Sequence, residues 1–329
     1  MTTIKDIAKH SGLGLATISR YINGGNVREK NRIAIETAIE EMGFAANEFA
    51  RGLRTKRSRT IGVVIPELSD LFMTTILSHA EDILRHNGYS MVFVDCRSDK
   101  ERERQAIKFL LSKQVDGIIT MPIGQDGSHL LPAIEGNIPV VSIDRTIEGL
   151  KDKVHAVLVN NAKASEEATQ LLINAGHRKI GIIVGPEHIY TSQQRFLGYK
   201  KALMKQGIQA EDSYVQFSDY TAPGGYTSAK YLLTNAKPTA LYTTNYNMTL
   251  GALMAINDMK LTIPDDIAFI GFDNLQLSTV IKPKLTLVAQ PLEEIAENAA
   301  EIMLAALNGK LDGIEVRTLS TYLQDGDSI

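Results

Sequence analysis

Ala16, Thr17, Arg20 and Asn23 are spaced to share one side of a short helix that opens at Leu15 and turns Ile18 and Ile22 the other way. A guanidinium such as that of Arg20 can hold a guanine edge with two hydrogen bonds, or hold a phosphate. The hydroxyls of Thr17 and Ser19 suit phosphate or base contacts. Leu15 and Ala16 stand in the first turn, where their methyl groups either meet thymine methyls or, for Leu15, pack inward. Upstream, Ile4, Ile7 and Ala8 share a face of another short helix, which Thr3 and Asp6 can open as a capping-box pair. Gly12-Leu13-Gly14 separates the two. Two short amphipathic helices about a glycine turn make a helix-turn-helix, whose second helix fits a DNA major groove.

Charge is distributed to match. The 329 residues carry a net −3. Residues 1–59 hold 11 Lys and Arg against 6 Asp and Glu, a net +5, which leaves 24 against 32, a net −8, for residues 60–329. A basic head on an acidic body concentrates phosphate attraction at one end. Composition is that of an ordinary soluble globular chain, with no apolar run long enough to span a membrane and no secretory leader. The lone Cys96 excludes an intrachain disulfide, suits the cytosol, and is expected as a small buried side chain near a strand end.

The elements that must position these groups follow in order. A third helix is expected from Arg28 to Met42, with Ile35, Ala38, Ile39 and Met42 inward and Gly43 ending it. Asn47 to Leu53 reads as a helix of only two turns, marginal in water and ordered only against a partner. The basic stretch Arg54 to Arg59 follows, either a solvated tether or a phosphate contact. From Thr60, apolar strands alternate with amphipathic helices. Strands are expected at 61–65, 91–95, 117–120, 140–143 and 157–159, and again at 180–184, 215–217, 240–243 and 267–272. Helices are expected at 73–86, 101–113, 162–175 and 192–206, with a last long one from Pro291 to about Leu307. Two such series predict two similar lobes of parallel sheet covered on both faces. Ligands in this architecture bind at the carboxyl ends of strands, here the cleft between lobes.

Ile4-Lys5-Asp6-Ile7-Ala8, Ala16-Thr17-Ile18-Ser19-Arg20 and Tyr21-Ile22-Asn23 resemble the lactose repressor/galactose repressor family. The match continues through Thr60 to Pro66, Gly176-His177-Arg178-Lys179-Ile180, Ile263-Pro264-Asp265-Asp266 and Gly271-Phe272-Asp273-Asn274. Each motif alone is weak, and their order and spacing together are specific. The resemblance implies an α/β protein: a helix-turn-helix DNA-binding headpiece (1–46), a hinge helix and basic linker (47–59), and a two-lobed core like a periplasmic binding protein (60–329). The core would hold two doubly wound parallel sheets, the first lobe being 60–159 plus 291–316 and the second 160–289 plus 317–329. DNA contacts would come from Leu15, Ala16, Thr17, Ser19, Arg20 and Asn23, and from the hinge residues Asn47, Ala50, Arg51, Leu53 and Arg54. Leu53 would wedge into a minor-groove step, and Ala50 would let two hinge helices pack closely. The effector would meet Phe72 and Asp144 from the first lobe, and Arg195, Asn245 and Asp273 from the second.

Such a chain would act as a homodimeric, cytoplasmic transcriptional regulator, most simply a repressor, that binds a palindromic operator and a sugar, sugar acid or sugar phosphate. No heptad repeat follows Tyr322-Leu323 to make a tetramer, and no cofactor or metal is expected. Departures from the family pattern are Gly14 for a Ser cap, Ala46 for a Pro, Gly52 in the hinge, Asp70-Leu71 for Asn-Pro, Asn160 for Asp, and Tyr246 for Asp. The last removes an acid near the pocket and so points toward an anionic ligand. For Asp144 and Arg145 an internal salt bridge is the alternative to ligand contact. His177 is expected to structure a turn, and Gly224-Gly225 to form a turn before a helix. A transport solute-binding protein would share the lobes but needs a leader and no headpiece. A sugar-metabolising enzyme needs a reactive constellation, and neither a phosphate loop nor a His-Glu-x-x-His motif occurs.

Overall fold

The computed structural model describes residues 2–22, 25–44, 57–273 and 275–329. Asn23, Asn47, Ala50, Arg51, Leu53 and Arg54, and with them the expected hinge helix, lie outside the described residues. Backbone contacts divide the chain into Met1–Ser58 and Arg59–Ile329.

In the first unit, α1 (Ile4–Ser11), α2 (Leu15–Ile22) and α3 (Glu29–Glu41) enclose a small core of Ile7, Ile18, Ile35 and Ala38. Ala8, Tyr21, Ile22, Ile39 and Met42 pack around it. Ile4, expected on the inner face, is instead exposed, because α1 turns only its Ile7–Ala8 side to α3. The capping box forms as expected: Thr3 N–H donates to Asp6 Oδ2 at 2.8 Å and Asp6 N–H to Thr3 Oγ1 at 3.4 Å. Gly12 ends α1 at a φ of 69°, a left-handed conformation that costs glycine little.

The second unit alternates strand and helix. The strands are β1 (Thr60–Ile65), β2 (Ser90–Asp95), β3 (Gly117–Thr120), β4 (Val140–Ile143), β5 (His155–Val159), β6 (Ile180–Val184), β7 (Val215–Phe217), β8 (Ala240–Thr243), β9 (Ala268–Phe272), β10 (Thr286–Ala289), β11 (Val316–Leu319) and β12 (Tyr322–Gln324). The helices are α4 (Leu71–His86), α5 (Lys100–Ser112), α6 (Leu131–Glu135), α7 (Asn161–Asn174), α8 (Tyr190–Lys205), α9 (Ala222–Tyr231), α10 (Tyr246–Asp258), α11 (Leu275–Val280) and α12 (Leu292–Leu307). The strands form two sheets, ordered β11-β5-β4-β3-β1-β2 and β12-β10-β9-β8-β6-β7. The two orders correspond strand for strand, so the lobes repeat one plan. Every pairing is parallel except β10 with β12, which runs antiparallel. Each sheet is buried on both faces: α4 and α12 against α5 and α6 in the first lobe, α7 and α8 against α9 and α10 in the second. Buried runs such as Ile180–Val184 are therefore apolar throughout, as parallel strands between two helical layers must be.

The chain crosses between lobes after β5, after β10 and after β11. The last crossing falls at Ser320-Thr321, a few residues beyond the expected 316/317, because Val316–Leu319 pairs with β5 as the edge of the first sheet. Gly224 and Gly225 do not form a turn. They lie inside α9, where a Cβ on Gly225 would stand 2.6 Å from the Met248 backbone, so the missing side chain lets α9 and α10 touch. His177 does structure a turn, with its Nδ1 3.0 Å from Thr239 Oγ1. Cys96 is buried, and burial pushes its thiol up to about 12, far from a reactive thiolate. No helix among the described residues is long and apolar enough to cross a membrane.

Candidate functional site

Two surfaces carry chemistry. On α2, Ala16 and Arg20 are exposed, Thr17 and Ser19 are half-buried, and Ile18 anchors the helix from beneath. Leu15 is 49% exposed, which removes the core alternative and leaves its methyl groups on the outer surface. Tyr21 Oη donates to Glu36 at 2.8 Å and so fixes α2 against α3. The outward face thus offers two apolar residues, short hydroxyls and one guanidinium.

The second surface is the interlobe cleft. Asp144 follows β4, and Asp273 follows β9, the corresponding strand of the other lobe. Both take left-handed backbone, with φ of 67° and 57°, and both donate their N–H to the neighbouring strand, at Val157 and Val288. Aspartate tolerates this conformation better than most residues. The same backbone kink ends each strand at a carboxylate facing the cleft.

Arg195, from α8, is buried beside them. Its Nε donates to Asn161 Oδ1 at 2.7 Å and its Nη1 to the Thr244 carbonyl at 2.6 Å. Its guanidinium lies 3.9 Å from the centre of the Phe272 ring. Its Nη2 faces Asp144 Oδ1 across the lobes at 3.9 Å, an ion pair too long for a hydrogen bond. Arg145 pairs with Asp144 at 3.4 Å, donates to the Pro122 carbonyl at 2.8 Å and stands 6.0 Å from the Tyr220 ring of the second lobe. The Asp144–Arg145 salt bridge therefore forms, within the cleft rather than apart from it.

Phe72, buried at the start of α4, and Asp273 line a cavity of 560 Å³ with Tyr246, Gln276 and Gln290. Asp70 caps α4 by accepting from Phe72 N–H at 3.0 Å. Asn245 caps α10 through its carboxamide oxygen, which accepts from Met248 N–H at 3.1 Å, so that oxygen serves the helix first. Asp144, Arg195 and Asp273 thus come together between the lobes, Phe72 lines the cavity with Asp273, and Asn245 stands between Thr244, which accepts from Arg195, and the cavity residue Tyr246. Sequence reasoning missed Tyr190, Tyr220, Asn161 and Gln290. Gln290 was the one with a usable signal, since it follows a strand that Leu287-Val288-Ala289 announces.

Burial dominates the electrostatics. Asp273 is pushed up to about 6 by burial, opposed by the Arg195 charge and by two hydrogen bonds from Gln290. Asp70 is raised by burial, with the Asp144 charge adding to it. The Tyr190 hydroxyl is raised by burial and by Asp144, and that of Tyr246 by burial and by Asp70. Asp144 Oδ1, Arg145 Nε and Gln290 Oε1 are buried without a hydrogen-bond partner. Unpartnered buried polar atoms are costly, and a hydroxyl-bearing ligand in the cleft would relieve that cost.

Asp273 gives a pH prediction. Its folded value lies above the ordinary 3.8, so the folded state holds the proton more tightly. Stability therefore falls as pH rises from about 4 through 6, by about 3 kcal/mol in full. Asp273→Asn removes that cost, and a flipped Gln290 amide could accept from the new NH₂ group. Thermal unfolding across pH should show the variant more stable than the parent at pH 8, with the gap closing toward pH 4. A gap that widens on acidification contradicts the assignment.

Comparison with known proteins matches both units of the chain. Residues 3–47 match the profile of "Bacterial regulatory proteins, lacI family", and residues 58–323 that of "Periplasmic binding proteins and sugar binding domain of LacI family". The chain is 33% identical over 309 residues to catabolite control protein A of Priestia megaterium, covering 93% of this chain and 92% of that protein. It is 30% identical over 323 residues to the HTH-type transcriptional repressor CytR of Escherichia coli (strain K12), covering 98% and 94%. Among solved structures, a complex of the transcriptional regulator CelR with cellobiose superposes with a TM-score of 0.78 at 26% identity, covering 100% of both chains. The Lac repressor dimer bound to operator and the anti-inducer ONPF has the same fold, at a TM-score of 0.88, 24% identity, and 99% and 98% coverage.

Proposed function

The chain belongs to the LacI family of bacterial regulatory proteins, and from that premise we propose a homodimeric, cytoplasmic repressor that grips a palindromic operator and is governed by a small carbohydrate-type effector held between its lobes. DNA binding and transcription regulation come with the family.

The observation that carries the effector assignment is the Asp144–Arg195 pair, which spans the cleft at 3.9 Å beside buried, unpartnered acceptors on Asp144 and Gln290. Hydroxyls inserted there gain charge-assisted hydrogen bonds and draw the lobes together. Charge favours an uncharged ligand over the sugar acid or sugar phosphate that Tyr246 suggested. Asp70, Asp144 and Asp273 outnumber Arg145 and Arg195, and both guanidiniums already face carboxylates or carbonyls. A thermal-shift screen of cellobiose, D-ribose, gluconate and glucose 6-phosphate tests this. Neutral sugars should supply the stabilising hits, and stabilisation by the anions alone would overturn it.

Dimer formation is supported by β2, one of the two edges of the first sheet, which pairs on one side only among the described residues and where Phe93 is 44% exposed. An apolar edge strand left open invites aggregation, and a second copy would cover it. Two headpieces then read two half-sites, while Asn47, Ala50, Arg51, Leu53 and Arg54 contact the minor groove between them, with Leu53 as wedge. Effector binding shifts the angle between lobes, and through it the spacing of the two hinges.

Leu15 and Ala16 make a prediction about the operator. With no hydrogen-bonding atoms in their side chains, they read thymine methyls. Replacing half-site thymines by deoxyuridine should weaken binding by about 1 kcal/mol or more per contacted base, as measured by fluorescence anisotropy. Equal affinity for the two duplexes would contradict methyl reading.

A further inference from the structure

Glu103 lies outside the cleft, on α5, and is only 3% exposed. Its Oε1 accepts the Ile123 N–H at 2.9 Å. Its Oε2 stands 3.6 Å from His129 Nε2, and both side chains are almost wholly buried. Burial raises the Glu103 carboxyl and lowers the His129 imidazole. A leucine there would avoid the desolvation cost of a carboxylate but leave the buried Ile123 N–H without an acceptor, so what the acid secures is the backbone at residue 123.

The backbone that Glu103 holds leads to the cleft. Residue 123 follows Pro122, and the Pro122 carbonyl accepts from Arg145 Nη1 at 2.8 Å. Arg145 in turn stands 3.4 Å from Asp144, the carboxylate that faces Arg195 across the lobes. One buried carboxylate therefore anchors the short segment on which the Arg145 guanidinium rests. We infer that Glu103 is a positioning residue for the effector site: it sets where Arg145 presents its charge to Asp144 and to a ligand. The functional half of this inference rests on the cleft being the effector site, while the structural half does not.

The test uses the full chain without added sugar. The Nε–H resonance of Arg145 is identified in the ¹⁵N spectrum by its loss in R145K, and is then followed in three variants. E103L, which loses the acceptor, and E103D, which withdraws it by one methylene, should both move that resonance. E103Q keeps an acceptor for Ile123 N–H and removes only the charge that Glu103 presents to Arg145, so it should move the resonance less than either of the other two. Thermal unfolding supplies a second readout: the drop in melting temperature caused by E103L should be at least halved in an R145A background. An Arg145 resonance unmoved in every Glu103 variant, or an E103L cost equal in both backgrounds, overturns the proposal. If E103L fails to fold, E103D against E103Q decides, because both keep a polar, hydrogen-bonding group. No ligand enters these measurements, so a negative result bears on Glu103 alone. Failure of cellobiose or D-ribose to bind the unmodified chain bears on the effector reading alone.

Discussion

Arg195→Ala abolishes the stabilisation conferred by whichever neutral sugar binds, and destabilises the ligand-free core by about 3–5 kcal/mol. Both effects come from the same four contacts. The guanidinium satisfies Asn161 Oδ1 and the Thr244 carbonyl, lies on the Phe272 ring, and shares with Arg145 the countercharge to Asp144. Its removal leaves Asp144 to Arg145 alone, takes from buried Asp273 a charge that favours its ionised form, and leaves two unpaired acceptors in a buried site. Arg195 also opposes the rise of Asp273, so in the variant Asp273 should titrate above about 6 and the acid-side gain in stability should extend to higher pH. Arg195→Lys does not rescue, because a single ammonium cannot reach Asn161, Thr244 and Asp144 in the forked geometry of the guanidinium. Calorimetric unfolding with and without sugar checks both halves. Unchanged sugar stabilisation in Arg195→Ala would remove this residue from the site.

Arg20→Ala should cost about 2–6 kcal/mol of operator affinity per dimer, since a bidentate guanine contact is worth about 1–3 kcal/mol and the dimer makes two. Fold stability should hardly move, because Arg20 is exposed and the headpiece core is Ile7, Ile18, Ile35 and Ala38. The size and kind of loss decide between the two readings of this side chain. Guanine readout relaxes base preference at one half-site position. Phosphate contact instead weakens all duplexes alike and lowers the salt slope by about one per contact. Anisotropy titrations on specific and scrambled duplexes at several salt concentrations separate them. Affinity unchanged on every duplex would exclude Arg20 from the interface.

The sequence made the chemistry of this chain legible wherever local pattern and role coincide. Thr3 and Asp6 form their capping box because four residues suffice to build it. Strands such as Gly117–Thr120 and Ile180–Val184 stand where their apolar runs place them, because burial on both faces leaves no other composition. Asp144 and Asp273 converge because each follows a corresponding strand of its sheet, and Arg195 reaches them from the second turn of α8. The misses share a cause as well. β11 and β12 are short, partly exposed edge strands, so nothing in their composition separates them from loop, and the last lobe crossing lies beyond the expected 316/317. Gly224 and Gly225 look like turn residues until the partner helix that fills their space is known. Tyr220 holds its place through tertiary contacts alone: its ring lies over Gly185, and its hydroxyl meets Thr191 and Ser192 at 2.9 and 2.6 Å.

The most direct test of a repressor governed from its interlobe cleft is selection of binding sites from a random duplex library by the full chain, with and without the sugar that stabilises it most. The account predicts enrichment of a two-fold-symmetric sequence whose affinity, measured at fixed salt, changes at least several-fold when that sugar is added. Enrichment of no palindrome, or a palindrome bound equally with the cleft empty and saturated, would contradict it.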